Sequence, residues 1–346
     1  MSQILPVGKL PVDLLARLLA QAPVNDPDVL QGPGIGLDCA VVEAGPKLWV
    51  FKSDPITFAT DEIGWYAVQV NANDIATSGA IPRWLMLTLL LPEGKTTPQQ
   101  AEAIAQQVYN ACRAMNIALI GGHTEVTSGL SRPILCATMI GEVDREKLVS
   151  PQGANPGDRV LLTKGVPIEA TALLAREFPD RLSAVLSPAE LEQARDYLYD
   201  PGISVLQDAG IAQGSGRVTA MHDPTEGGLA GALWELADAS GRSLSINRSA
   251  VPIPPLAGRI CRALSLDPLA TIASGALLLT VSPEDSAPIR AALQQAGIAC
   301  AEIGAVEATL PGKIPQVWAQ DPGSCVLLPR PDRDEIARLF GENSVD

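Results

Sequence analysis

The sequence predicts a mixed α+β (α/β) chain of two domains. Three observations carry this. Strand and helix patterns alternate through both halves of the chain. Turn formers crowd Ser150-Pro151-Gln152-Gly153-Ala154-Asn155-Pro156-Gly157, which marks a boundary. The chain has 346 residues, 47% of them hydrophobic and 18% charged, enough for two domains and a sizeable core. The expected domains span 1–150 and 157–335.

The elements follow in order. Leu10 to Leu19 mixes apolar residues with Asp13 and Arg17, as an amphipathic helix does. Leu37–Val42 and Leu48–Ser53 read as a strand pair joined at Ala44-Gly45-Pro46. A helix is expected from Ile63 to Thr77 and a buried strand over Trp84–Leu91. Thr97-Pro98-Gln99-Gln100 is a helix start, with a cap, a proline at the first position and Gln at the third. Ala101, Ile104, Val108, Cys112 and Met115 then share one helical face. Ile117–Ile120 and Ile134–Val143 read as strands. In the second half, strands are expected at Arg159–Thr163, Ala276–Val281, Cys300–Val306 and Lys313–Trp318. Helices are expected near Glu169–Arg176, Leu191–Tyr199 and Gly228–Ala239. Residues 341–346 are polar and expected to fray. No repeat of fixed period is present.

The formal net charge is −14, which disfavours a duplex nucleic-acid partner, since phosphate backbones need a basic face. Small phosphorylated ligands remain open, because a divalent cation can hold them. The six cysteines form no C-x-x-C pair and read as reduced core thiols. With His123 and His222 as the only histidines, a zinc site is not expected. No signal peptide and no run of eighteen apolar residues is seen, so the expected location is the cytoplasm, with no membrane partner.

The segment from Asn71 to Ala80 places amide and acid groups in an otherwise apolar helix. Asn71 and Asp74 stand three positions apart, on one helical face. A buried carboxylate is costly unless paired or bound to metal, while the bland alternative is a solvated helix end. Three further segments join it. Gly34-Ile35-Gly36-Leu37-Asp38 is a glycine turn delivering an acid. Lys52-Ser53-Asp54-Pro55 puts an acid at a strand end, and Gly121-Gly122-His123-Thr124-Glu125 is a double glycine after a strand. Each has a bland alternative: Asp38 a turn residue, Asp54 a turn pair with Pro55, His123 a core histidine. Together, acids and an amide at element ends suit an oxygen-ligand site for Mg²⁺, with glycines allowing close approach to phosphates. Neither a P-loop nor a G-x-G-x-x-G fingerprint is present, so a nucleotide needs another architecture.

Met221-His222-Asp223-Pro224-Thr225-Glu226-Gly227-Gly228 opens a helix, with Asp223 as cap and Pro224 at the first position. Two glycines there imply either an anion at the helix N-terminus or tight helix packing. Lys9 is either a lid over phosphates or a solvated lysine.

These segments, in this order, resemble the superfamily of aminoimidazole ribonucleotide (AIR) synthetase, selenophosphate synthetase, thiamine-monophosphate kinase and the hydrogenase maturation factor HypE. The HypE-like branch is the nearest in appearance. The carriers are Gly34–Ala40, Asp54 with Thr57, Asn71–Ala80, Gly121–Thr127, His222–Gly228 and Ile272–Leu278. The resemblance implies a two-domain PurM-like fold, its N-terminal domain forming a β-barrel across a homodimer, its C-terminal domain α+β. It implies ATP and Mg²⁺ as cofactors. Asp38, Asp54 and Asp74 match the metal ligands. Lys9, Asn71, Asn73, Gly121, Gly122, Thr124, Asp223, Gly227 and Gly228 match positions about the nucleotide, and His123 or Glu125 would act as acid or base or touch the acceptor.

The chain departs from the pattern in four places. Leu37 stands where the family often has a first acid, and His123 and Glu125 stand where HypE has Asp and Lys. No cysteine follows Gly8, which argues against selenium chemistry. HypE carries a Pro-Arg-x-Cys tail whose thiolate bears the carbamoyl group; here Pro329-Arg330 precedes Pro331 and the nearest cysteine is Cys325. The thiocarbamate route to cyanide is therefore expected to be closed. The expected activity is ATP-dependent phosphorylation or activation of a small-molecule acceptor. The alternative is a non-catalytic HypE-like accessory protein that binds a maturation partner. A structural dimer without nucleotide would leave the buried acids unexplained.

Overall fold

The computed structural model describes Leu5 and Gly8–Glu342. Two compact units emerge from it. One holds Asp26–Gly32 and Asp38–Leu148. The other holds the described residues up to Asn25, Pro33–Leu37 and the chain from Val149 onward. The N-terminal helix α1 (Val12–Leu19) and the glycine turn at 33–37 thus group with the later half of the sequence.

In the first unit, strands β1 (Val29–Gln31), β2 (Ala40–Ala44) and β3 (Lys47–Ile56) lead into helix α2 (Ile63–Thr77). Then come β4 (Ile81–Pro92), α3 (Pro98–Ala114), β5 (Ala118–Thr127) and β6 (Ile134–Val143). Among the described residues they form one six-stranded sheet in the order β1-β2-β3-β6-β4-β5. Only β4 and β5 pair in parallel, and α3 makes the crossover that a parallel pair requires. Thr97 closes the expected capping box with Gln100 at the start of α3.

β6 alternates partly and fully buried positions along its whole length, the period-2 signature of a half-covered sheet. On β3 the inward set is Leu48, Val50, Lys52, Asp54 and Ile56. Helix α2 covers that face and is buried almost all round. Its N-terminus has no side-chain cap of its own; Gly64 N–H donates instead to Gln107 Oε1 of α3 at 3.0 Å. Gly79, with φ 79°, ends it. The helix rests so close to β6 that a Cβ on Gly141 would stand 2.3 Å from Ile75 Cγ2.

One expectation for this unit fails. The strand foreseen at Ile117–Ile120 continues as β5 through Thr127, so Gly121–Glu125 is strand rather than a loop after one. Gly122 permits this: at φ 147° it lies so near β4 that a Cβ would fall 1.8 Å from Leu87 O.

The second unit carries β7 (Arg159–Thr163), α4 (Ile168–Glu177), α5 (Pro179–Leu182), α6 (Pro188–Asp196), α7 (Leu206–Ser215) and β8 (Val218–His222). It continues through α8 (Gly228–Ser240), β9 (Ser243–Asn247), α9 (Pro255–Ala263), β10 (Leu278–Val281) and α10 (Ser286–Gln295). It closes with β11 (Cys300–Glu307), β12 (Val317–Asp321), β13 (Ser324–Leu327) and α11 (Ile336–Glu342). Its described strands make a seven-stranded sheet, β13-β12-β9-β11-β7-β10-β8. Val160, Leu162, Leu244, Ile246, Leu278 and Ile303 meet Leu229, Leu233 and Leu236 of α8 in its core. The strand expected at Lys313–Trp318 begins only at Val317. Helix α11 runs into the tail expected to fray, and residues 343–346 lie outside the described residues. All six cysteines are free thiols.

Burial shifts two of this unit's acids upward. Burial pushes the Glu169 carboxyl, in the first turn of α4, up to about 8, and Glu226 and Asp334 add to the effect. Burial pushes Asp334 up to about 7, against the backbone N–H groups of Ile336 and Gly227 that it accepts from.

Two outcomes are expected. Gly141→Ala should lower stability by about 1–3 kcal/mol in urea unfolding, because α2 and β6 cannot separate without losing their packing. Glu169 is harder to ionise in the folded state than in the unfolded chain. Its protonated form therefore supports the fold fully below about pH 4.5, and that support is lost as the pH rises towards about 8. Melting temperatures followed over this range should fall less steeply in Glu169→Gln than in the wild type.

Candidate functional site

The site grows from the period-2 pattern of β3. Lys52 and Asp54 are two residues apart, so both side chains lie on the face that α2 covers. Lys52 Nζ stands 3.2 Å from Asp74 Oδ2 of α2 and 3.5 Å from Asp54 Oδ2. The Asp74 side chain is 2% exposed, Lys52 17% and Asp54 34%. Burial alone would lower the Lys52 ammonium, but Asp74, Asp54 and Asp38 together hold it well above its ordinary range. Asp54 and Asp74 thus flank Lys52 directly, and the charge of Asp38 also acts on it. Three carboxylates against one ammonium leave two negative charges.

The backbone fixes this geometry. Asp54 N–H donates to Asn71 Oδ1 at 3.0 Å, and Asn71 Nδ2 donates to the carbonyls of Asp54 at 3.3 Å and Ala67 at 2.9 Å. Asn71 was expected beside the cofactor; its amide is instead spent on tying α2 to β3, and it acts by holding Asp54. Cys39 Sγ donates to Asp74 O at 3.2 Å, and Thr77 Oγ1 donates to the same carbonyl at 2.7 Å. Asn73 is fully buried in α2, next to Asp74. Asp54 and Asp74 are hard oxygen donors on either side of a cation, a donor chemistry that fits Mg²⁺.

The other expected residues lie apart from this focus. His123 Nε2 is 3.1 Å from Glu125 Oε2, two residues apart on β5, with side chains 64% and 48% exposed. β5 is the edge strand and is separated from β3 by β6 and β4, roughly 14 Å at ordinary strand spacing. Within one chain, then, His123, Thr124 and Glu125 are not brought to the acids. Gly121 and Gly122 lie in the strand with them, and Gly122 serves its pairing with β4.

In the second unit, the first turn of α8 was expected to offer free N–H groups to an anion. Most are taken. Gly227 N–H donates to Asp334 Oδ2 at 2.6 Å, Gly228 N–H to Thr225 O and Ala230 N–H to Leu269 O, both at 2.8 Å. A Cβ on Gly228 would stand 2.5 Å from Thr271 O. Gly227, at φ 83°, turns the chain into α8, while Gly228 serves tight packing, the other alternative the sequence left open. Gly36 does the same work, since its Cβ would lie 2.4 Å from Glu235 O. Asp223 is buried just before this turn. Lys9, expected as either a solvated lysine or a lid over phosphates, is 46% exposed at its side chain and has acidic neighbours. It pairs with Glu235 at 3.3 Å and Glu226 at 3.5 Å. His222 Nε2 meets the other oxygen of Glu235 at 2.8 Å, and against burial Lys9 and His222 hold that carboxyl at about 2. Arg330 pairs with Asp238 at 2.8 Å and lies over the Trp234 ring, which pins the Pro329-Arg330 segment to α8.

Lys52 is the site residue that sequence reasoning passed over. The signal was present: a lysine two positions before an acid, in phase with the buried Leu48 and Val50.

The two-sheet α+β chain is similar to known proteins. The pattern of the AIR synthase related protein N-terminal domain matches residues 36–143, and that of the C-terminal domain matches 155–314. A putative hydrogenase expression/formation protein of Methanocaldococcus jannaschii is 32% identical over 264 residues, covering 73% of this chain and 75% of the relative. The carbamoyl dehydratase HypE of Rhizobium leguminosarum bv. viciae is 29% identical over 243 residues, covering 69% of this chain; the match spans 66% of that protein, just under two thirds. Among solved structures, hydrogenase maturation protein HypE in complex with ATP superposes with a TM-score of 0.66 at 23% identity, covering 91% of this chain and 94% of the other. ThiL complexed with AMPPCP and TMP gives 0.70 at 22% identity, covering 93% and 95%. The chain belongs to the AIR synthase related family, with HypE-like relatives and a PurM-like two-domain fold. No helix among the described residues is long and apolar enough to cross a membrane.

Asn71→Ala should strip Asp54 of both backbone partners and cost about 1–3 kcal/mol in urea unfolding, the range for orphaned buried polar groups.

Proposed function

We propose that the chain is a Mg²⁺-dependent ATP-binding enzyme that phosphorylates or otherwise activates a small acceptor. The observation that carries this is the placing of Asp54 and Asp74 about a single cation position, that of Lys52 Nζ. Support comes from the likeness to HypE in complex with ATP and to ThiL with AMPPCP. Asp38, Asp54 and Asp74 would hold Mg²⁺, and Asn73 would help orient the phosphates. Bound Mg·ATP supplies an activated phosphoryl group with part of its charge neutralised. The chain's own contribution is positioning, by a helix and strand locked together through Asn71.

The edge strand β5 exposes Leu119, Ile120 and Val126, an unpaired apolar edge suited to a second copy of the chain. In such a homodimer His123 and Glu125 lie at the interface, where they would meet the acceptor as acid or base. We place the protein in the cytoplasm.

A second reading, a non-catalytic HypE-like accessory protein of hydrogenase maturation that binds a partner protein, is supported by the hydrogenase expression/formation relative and by the likeness to HypE in a HypE–HypF complex.

Calorimetric titration with ATP, with and without Mg²⁺, tests the first reading. Magnesium-dependent binding is expected, followed by ADP release once an acceptor is supplied. Asp54→Asn should abolish that binding while circular dichroism stays unchanged. A variant that binds Mg·ATP as tightly as the wild type would remove Asp54 from the site. Wild-type protein that binds no nucleotide would leave the partner-binding reading.

A further inference from the structure

Lys52 has no role in the function just proposed, yet it sits inside the carboxylate focus. Its Nζ is 3.2 Å from Asp74 Oδ2 and 3.5 Å from Asp54 Oδ2. A divalent ion held by the same two oxygens would stand at roughly 2.0–2.6 Å from them. An ammonium at its present distance would then face two positive charges within a few ångströms. The two cations compete for one position.

The lysine has somewhere to go. Its side chain is 17% exposed, so the cluster is open on one side, and its four-carbon stem is flexible. A displaced ammonium beside a half-buried cluster needs a new anion, or the displacement is costly. The phosphates of a metal-bound nucleotide supply one at that place.

We propose that Lys52 is a built-in counter-ion that couples metal binding to phosphate binding: the divalent ion displaces the ammonium from Asp54 and Asp74, and the ammonium then engages the phosphate oxygens. This deepens the Mg·ATP reading and rests on it. Metal alone must evict Lys52 without compensation and binds weakly. Metal with nucleotide gives Lys52 a partner and binds tightly. The two ligands thus reinforce each other through one side chain, and the coupling is reciprocal.

The test uses the full chain with Mn²⁺ as the metal probe and AMPPCP as the nucleotide. Free Mn²⁺ is titrated by paramagnetic resonance without nucleotide, and AMPPCP by calorimetry at saturating Mn²⁺. Lys52→Met should bind Mn²⁺ alone about tenfold more tightly than the wild type, and AMPPCP about tenfold more weakly. Lys52→Arg keeps the charge and should leave Mn²⁺ binding as weak as in the wild type. If Lys52→Met does not fold, Lys52→Gln takes its place in both titrations. Unchanged Mn²⁺ affinity in the neutral variant would overturn the proposal, as would unchanged AMPPCP affinity or tighter Mn²⁺ binding in Lys52→Arg. Failure of the wild type itself to bind AMPPCP with Mn²⁺ would instead overturn the nucleotide reading beneath it.

Discussion

The Asp74 carboxylate is buried in a helix that is enclosed on nearly every side, and the first unit is arranged around that fact. An ionised acid in such a place requires a cation close by. Lys52 provides it from β3, and can do so only because the strand's alternation turns residue 52 inward. The register of α2 against β3 must then be exact to a fraction of a residue. Asn71 secures it with bonds to both backbone groups of Asp54. Gly141 and Gly64 allow the helix to approach β6 and α3 closely enough for those bonds to form.

The second unit follows a different logic. At the head of α8 several polar groups pair with one another. Asp334 accepts from Gly227 and Ile336, Leu269 O takes the Ala230 N–H, and Glu235 spans Lys9 and His222. Glycines at 36 and 228 are where backbone meets backbone. A motif rich in glycine and acid can arise from packing as readily as from ligand binding. The distinction lies in whether its N–H groups already have partners.

The same distinction separates the two halves of the site expected from sequence. Asp54 and Asp74 flank one position, the Lys52 ammonium. His123 and Glu125 face outward from the sheet edge, with two strands between them and β3. A single chain holds the charged focus; the histidine–glutamate pair belongs to its surface.

Local pattern by itself determined much of this protein. The helix at Ile63–Thr77, the capping box at Thr97 and the strand Arg159–Thr163 follow from periodicity and cap chemistry, which act over a few residues, whereas the choice between burial and a solvated helix end for Asn71, Asn73 and Asp74 was left to the fold. The family, too, was legible in the ordered set of short motifs. Only the tertiary structure decided what depends on neighbours far apart in sequence. It continued β5 through Gly121–Glu125 because β4 offered a partner strand, and it used the N–H groups of α8 on Leu269 and Asp334. It also placed Lys52 between two acids, one of them 22 residues further along the chain (52 to 74). Pairing, close packing and charge compensation are set by distance in space, and the sequence carries them only as possibilities that the fold selects.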